Sequence, residues 1–168
     1  MSTCFTFRTA CADDSDAVRS LLDASYPTLF RPWYNEDALA ATLPLMTKAN
    51  PRLLASDSYF VAETAEQDIV GCGGWSHERP GSGALEDGLG HVRHFATHPD
   101  WIRKGIGRAL LAHSIETARA EGITRLDCNS SLAAEEFYRA LGFETIGPVD
   151  VDMGRGVRFP GIIMQMTL

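Results

Sequence analysis

Strand-like and helix-like segments alternate along the chain, and their order limits the fold more than any single motif does. The expected order is β-α-α-β-β-β-α-β-α-β-β, with no internal repeat and no linker. Because such elements pack in layers around one core, the sequence predicts an α/β (α+β) fold with a mixed central sheet of about seven strands. The 168 residues suit one domain, so we expect a single domain over residues 1–168.

Alternating apolar residues and glycine or proline breaks mark the strands. Phe5 and Phe7 begin the first strand, and the others are predicted at residues 59–63, 69–75, 91–97, 123–128, 143–151 and 158–167. The second and third should form an antiparallel hairpin. The segment 76–90, with four glycines and one proline, predicts a loop.

Capping residues and apolar spacing predict four helices. They cover residues 14–25, 36–46 and 105–121, and a short helix begins near Ser131 and ends at Gly142. Pro27 and Pro32 predict a loop over residues 26–33.

Charge and composition exclude several function classes. The net charge of −7 argues against binding to nucleic acid or to an anionic membrane. No apolar run is long enough to span a bilayer, and the N-terminal residues do not resemble a signal peptide, so we expect a cytoplasmic protein.

Cysteines and histidines do not predict a metal site. The four cysteines form no close pair, and we expect reduced thiols. His91, His94 and His98 would share one face of a helix, but their segment predicts a strand, in which His91 and His94 point to opposite faces.

Residues 98–111 carry the most informative pattern, HPDWIRKGIGRALL. A strand ends there, and Gly105 and Gly107 open a helix whose free N–H groups and dipole favour an anion. Residues 88–115 hold four basic residues against one acid, although the whole chain is acidic. The segment matches neither of two familiar phosphate-binding motifs. It lacks the third glycine of the dinucleotide-binding motif and the Gly-Lys-Ser/Thr run of the Walker motif.

A second informative segment is FYRALGFE at residues 137–144. Together the two segments resemble the pyrophosphate loop and penultimate helix of the GCN5-related N-acetyltransferases (GNAT). The element order is also that of GNAT proteins. The one departure is Ile102, which stands where the family pattern has Gln or Arg, and Arg103 is the neighbouring replacement.

The resemblance implies an acetyltransferase that moves the acetyl group from acetyl-CoA to an amine by direct attack in a ternary complex. It implies acetyl-CoA as co-substrate, no metal, and a small-molecule or peptide amine as acceptor. The alternative is a non-catalytic acyl-CoA-binding module that regulates a partner. A longer acyl group or an oxygen acceptor also stays open, and the apolar residues 159–168 allow a homodimer.

The same resemblance assigns site residues. Tyr138 would donate to the departing thiolate. The ammonium would lose its proton either to a side chain, with His91 and His94 as the candidate bases, or through ordered water. Tyr26, Tyr34 and Trp75 are candidates for lining the acceptor site. Cofactor contacts would come from Phe95, Ala96, Thr97, Arg103, Lys104, Gly105, Ile106, Gly107, Arg108, Asn129 and Phe137.

Overall fold

A computed structural model describes residues 4–168, so residues 1–3 of the predicted domain lie outside the description. Over that range, seven strands form one sheet. They are β1 (Phe5–Thr9), β2 (Tyr59–Thr64), β3 (Ile69–Ser76), β4 (Leu89–Thr97), β5 (Arg125–Ser131), β6 (Glu144–Asp152) and β7 (Arg158–Thr167). The helices over the same range are α1 (Ser15–Phe30), α2 (Glu36–Met46), α3 (Pro51–Leu54), α4 (Ile106–Ala120) and α5 (Glu135–Ala140).

The sheet has the order β1-β2-β3-β4-β5-β7-β6, which confirms the predicted seven-stranded mixed α/β fold. Strands β2 and β3 form the expected antiparallel hairpin. The neighbours β4 and β5 are parallel, and they pair only where residues 89–91 meet residues 125–127. Beyond His91 the two strands separate, and this opens a cleft in the middle of the sheet.

The prediction of a loop over residues 26–33 is wrong for residues 26–30, which belong to α1, whereas residues 31–33 form a turn. The helix continues through Pro27 to Phe30, and Tyr26 and Phe30 are buried on its inner face. Proline removes one helical hydrogen bond, but the burial of two aromatic side chains offsets that loss. The short helix α3 has no counterpart among the predicted elements, although Asn50 caps its start.

The strand β5 runs from Arg125 to Ser131, three residues beyond the predicted end, so Asn129 lies inside the strand. Apolar side chains pack on both faces of the sheet. The α1 and α2 face holds an aromatic group in which Tyr34 stacks on Phe159 at 4.3 Å between ring centroids. The other face packs against α4 through buried residues such as Leu111. Within residues 4–168, no helix combines the length and apolar character needed to cross a bilayer.

A bulge interrupts β4 beside the cleft. Cys72 and Gly74 are two residues apart on β3, whereas their partners on β4, Ala96 and Arg93, are three residues apart. The strand β4 therefore carries one extra residue here. His94 takes a φ of +46° there, a left-handed conformation that histidine adopts more readily than most residues. A bulge disrupts the ladder locally and can re-aim side chains next to a functional site.

Candidate active site

The first cavity lies at the N-terminal end of α4 and has a volume of about 580 Å³. We call it the glycine-loop cavity. It is bounded by the end of β4, the loop before α4 and the start of α5. Its lining includes Ala96, Thr97, Trp101, Ile102, Arg103, Gly105, Ile106, Gly107, Arg108, Ala133 and Phe137.

Free backbone N–H groups line one side of this cavity. Among the residues that the structure describes, none of the N–H groups of residues 103–108 donates a hydrogen bond within the chain. Two left-handed residues shape the turn, Arg103 with a φ of +61° and Gly105 with a φ of +82°. Because α4 begins at Ile106, its dipole also favours an anion at this point.

Basic side chains surround the same loop. Arg103 and Arg108 line the cavity, and the Lys104 Nζ lies 4.7 Å from the centre of the Trp101 ring. Ile102 also lines the cavity and is 56% exposed, so the loop carries an apolar side chain at its rim.

Gly107 explains how Phe137 reaches the loop. A Cβ atom at Gly107 would lie 3.3 Å from the Phe137 ring and 3.7 Å from the Thr97 hydroxyl. The contact with Phe137 is tighter than usual for a Cβ atom, whereas the contact with Thr97 is an ordinary one, so the absence of a side chain chiefly eases the approach of α5 to the start of α4. Three of the predicted cofactor residues come together at this point.

The second cavity lies on the α1 and α2 side of the cleft and has a volume of about 510 Å³. We call it the Arg93 cavity. Its walls come from α1, α2, the loop after β3, the strands β4 and β5, and the β6–β7 hairpin. Its lining includes Tyr26, Phe30, Met46, Pro80, Arg93, His94, Cys128, Asn129, Ser131, Asp152, Met153 and Phe159.

The two cavities share four residues and therefore meet inside the cleft. The shared residues are Leu29, Phe95, Ala134 and Tyr138. Of these, Tyr138 has the only ionisable side chain. It is 6% exposed, and its ring packs edge-on to Phe95 and Phe143 at 6.3 and 5.5 Å between centroids.

Burial controls the ionisation of the groups at this junction. It raises the pKa of Tyr138 well above its usual value, so the phenol keeps its proton across the neutral and mildly alkaline range. It also raises the pKa of Cys128 to about 12, so this neighbouring thiol is protonated at pH 7. A protonated thiol is a weak nucleophile.

The two candidate bases occupy different places. His94 lines the Arg93 cavity, and burial lowers its pKa to about 4, so its imidazole is neutral at pH 7. His91 is 5% exposed and lines neither cavity. Burial also lowers the pKa of His91. The structure thus brings His94, but not His91, to the site.

Of the three aromatic residues predicted to line the acceptor site, two do not line either cavity. Tyr26 does line the Arg93 cavity, but from a helix, and its hydroxyl donates to the carbonyl of Phe95 at 3.2 Å. Tyr34 lines neither cavity, because its hydroxyl is held in the core between Pro160 and Leu132. Trp75 is 1% exposed on the α4 face and donates to the hydroxyl of Thr117, so it is a core residue.

Asn129 lines the Arg93 cavity rather than the glycine-loop cavity, because β5 continues past Cys128. Arg93 is a lining residue that the sequence reasoning missed as a site residue. In the sequence it stands out only as one of the four basic residues in the segment 88–115. A charged residue inside a buried strand was the signal that could have identified it. Among residues 4–168, no three potential metal-ligating side chains converge.

Comparison with known proteins places this site in a family. Residues 55–145, more than half of the chain, match the acetyltransferase (GNAT) domain. The chain therefore belongs to the GNAT acetyltransferases, as the two sequence segments predicted.

Solved structures support the same fold. The chain is similar to the PaiA N-acetyltransferase from Thermoplasma acidophilum in complex with coenzyme A, at 15% identity and a TM-score of 0.73, over 98% of this chain and 99% of that one. It is also similar to a GCN5-related N-acetyltransferase from Rhodopseudomonas palustris, at 21% identity and a TM-score of 0.75, over 100% and 98% of the two chains. A third is the ribosomal-protein-S18-alanine N-acetyltransferase from Escherichia coli, at 19% identity and a TM-score of 0.62, over 98% and 94%. Family and fold together support acyl transfer from coenzyme A as the general chemistry.

Proposed function

We propose that this protein transfers the acetyl group of acetyl-CoA to the amine of a small molecule or peptide by direct attack in a ternary complex. The observation that supports this most strongly is the position of Tyr138, which lines both cavities where they meet. A thioester in one cavity and an amine in the other would react beside its phenol.

Acetyl-CoA occupies the glycine-loop cavity in this proposal. The free N–H groups of residues 103–108 and the flanking basic side chains hold the pyrophosphate. Pairing between β4 and β5 ends at His91, so the β4 edge over residues 92–97 has no β5 partner. The pantetheine arm lies along this edge, against the backbone of Phe95, Ala96 and Thr97. Phe137 packs beside the arm, whereas the position of Asn129 favours the acceptor side.

The amine attacks the thioester carbonyl, the C–S bond breaks, and the electron pair leaves on the CoA sulfur. Tyr138 donates a hydrogen bond to this developing thiolate. Its raised pKa favours donation over full proton release, so CoA takes its proton from solvent. The protonated state of Cys128 supports direct attack rather than an acyl-enzyme intermediate.

His94 positions the amine. Its neutral imidazole can accept a hydrogen bond from the amine, but a pKa of about 4 makes it a weak proton acceptor. The ammonium proton, and the N–H proton that the nitrogen loses after the C–N bond forms, therefore leave through water. His91 takes no direct part, because it lines neither cavity.

A non-catalytic acyl-CoA-binding module is the second candidate, and Ile102 is the feature that favours it, since it places an apolar side chain at the rim of the glycine-loop cavity. Calorimetric titration with acetyl-CoA, with CoA and ATP as comparisons, tests cofactor binding. Thiol release with a panel of amines then tests transfer. Binding with turnover supports the enzyme, binding without turnover supports the module, and no binding contradicts both.

A further inference from the structure

Arg93 is a half-buried cation in the wall of the Arg93 cavity. Its side chain donates one hydrogen bond, from Nη1 to the hydroxyl of Ser76 at 2.9 Å. Among the residues that the structure describes, no carboxylate lies within 4.0 Å of its guanidinium. Burial lowers the pKa of Arg93, but an arginine stays charged at pH 7.

The other ionisable groups of this cavity leave that charge uncompensated. His94, Cys128 and the two lining tyrosines are neutral at pH 7. Asp152 is the one carboxylate in the lining over residues 4–168, and it is exposed and accepts a hydrogen bond from the backbone N–H of Gly154 at 2.9 Å. Glu78 lies near enough to affect Arg93 but is exposed and forms no ion pair with it.

A desolvated cation without a carboxylate partner is costly, and a guanidinium binds a carboxylate through two parallel hydrogen bonds. We infer that Arg93 binds a carboxylate of the acceptor, so that the substrate is a small amine that also carries a carboxylate. This inference rests on the proposed function. Phe30, Met46 and Phe159 line the same cavity, and they favour an apolar side chain on that substrate.

The lining of the Arg93 cavity connects Arg93 to the junction of the two cavities. Arg93 and Tyr138 both line this cavity, and Tyr138 also lines the glycine-loop cavity. The carboxylate and the amine of one small molecule can therefore reach Arg93 and the thioester together. A cavity of about 510 Å³ is in the size range of small-molecule sites.

Matched acceptors test this inference on the full-length protein with acetyl-CoA. Leucine is compared with leucinamide and 3-methylbutylamine, and phenylalanine with phenylalaninamide and phenethylamine. We expect kcat/KM for the carboxylate member to exceed that of its amide by about tenfold or more. The dipeptides Leu-Gly and Phe-Gly separate a free amino acid from a peptide carboxylate.

Variants of Arg93 test whether this side chain causes the preference for the carboxylate acceptor over its amide. Arg93→Gln should reduce the ratio of kcat/KM between each carboxylate acceptor and its amide to about threefold or less, chiefly by raising KM for the carboxylate. Arg93→Lys should retain part of this ratio. Arg119→Gln, on the exposed face of α4, is the matched control and should keep the full preference. Unchanged melting temperature and acetyl-CoA affinity of each variant show that the fold is intact.

The outcomes separate this inference from the proposed function. Equal or better turnover of the amides overturns the inference and leaves the acetyltransferase standing. No transfer to any amine overturns the proposed function. In that case, thermal stabilisation by N-acetylleucine that is lost in Arg93→Gln would still support a carboxylate site, and its absence would overturn both.

Discussion

The hydroxyl of Tyr26 donates a hydrogen bond to the backbone carbonyl of Phe95 at 3.2 Å, and this contact ties α1 to the β4 bulge. The neighbouring carbonyl, that of His94, accepts from the hydroxyl of Tyr59 at 2.9 Å. Because a bulge disturbs the sheet ladder, carbonyls there need other donors. Two buried tyrosines supply them at the point where the two cavities meet.

Replacing Tyr26 by Phe should destabilise the protein by about 1–3 kcal/mol, since it leaves a buried carbonyl without its donor. Urea unfolding of the purified variant measures this. Tyr59→Phe removes one of two donors to the His94 carbonyl, because the Cys72 thiol also donates to it at 3.4 Å, so this replacement should cost less. An unchanged unfolding free energy in both variants would mean that water replaces the phenols.

Tyr138→Phe should lower kcat by about 100-fold and change the KM for acetyl-CoA by less than about threefold, because the phenol acts mainly on the departing thiolate. Steady-state thiol release measures both constants. Since burial raises the pKa of Tyr138, the wild-type rate should show no loss from tyrosine ionisation up to pH 9.

The control for this replacement is Tyr34→Phe, which removes a core hydroxyl outside both cavities. It should reduce stability while kcat of the folded protein stays close to that of the wild type. Equal losses of kcat in the two variants would contradict a role of the Tyr138 phenol in the reaction.

Local chemistry made the glycine loop and the sheet predictable. Left-handed turns favour glycine, as at Gly105, and apolar alternation marks strands such as β2 without knowledge of their partners. The two sequence segments that contain Gly107 and Tyr138 indicate the family. These features depend on residues close together in the chain.

Other features depend on contacts between distant residues. Helix α1 continues through Pro27 because Tyr26 and Phe30 are buried against the sheet, which proline-based reasoning cannot foresee. The bulge at His94 depends on hydroxyls from two other elements. Whether Arg93 faces a cavity or solvent likewise follows from the register of β4, not from its sequence.

Ile102→Arg should strengthen acetyl-CoA binding by about three- to tenfold, because it adds a cation beside the proposed pyrophosphate position. Ile146→Arg is the matched control, since both side chains are 56% exposed and Ile146 lines neither cavity. Calorimetric titration at low and high salt should show the gain for residue 102 alone, and a smaller gain at high salt. Equal affinities for the two variants would argue against an anion at this loop.

His94→Asn tests the buried imidazole through stability. The folded-state pKa of His94 is about 4, below its ordinary value of 6.5, so between these pH values the unfolded chain binds more protons than the folded protein. Wild-type stability should therefore fall as the pH drops from 6.5 to 4, and this histidine should account for about 3 kcal/mol of the loss.

Asparagine tolerates the left-handed φ of +46°, so the variant should retain the bulge. Urea unfolding across this range should show a shallower decline for the variant, because only His91 and other groups still titrate. Parallel declines for the two proteins would contradict the burial of His94 as a neutral group.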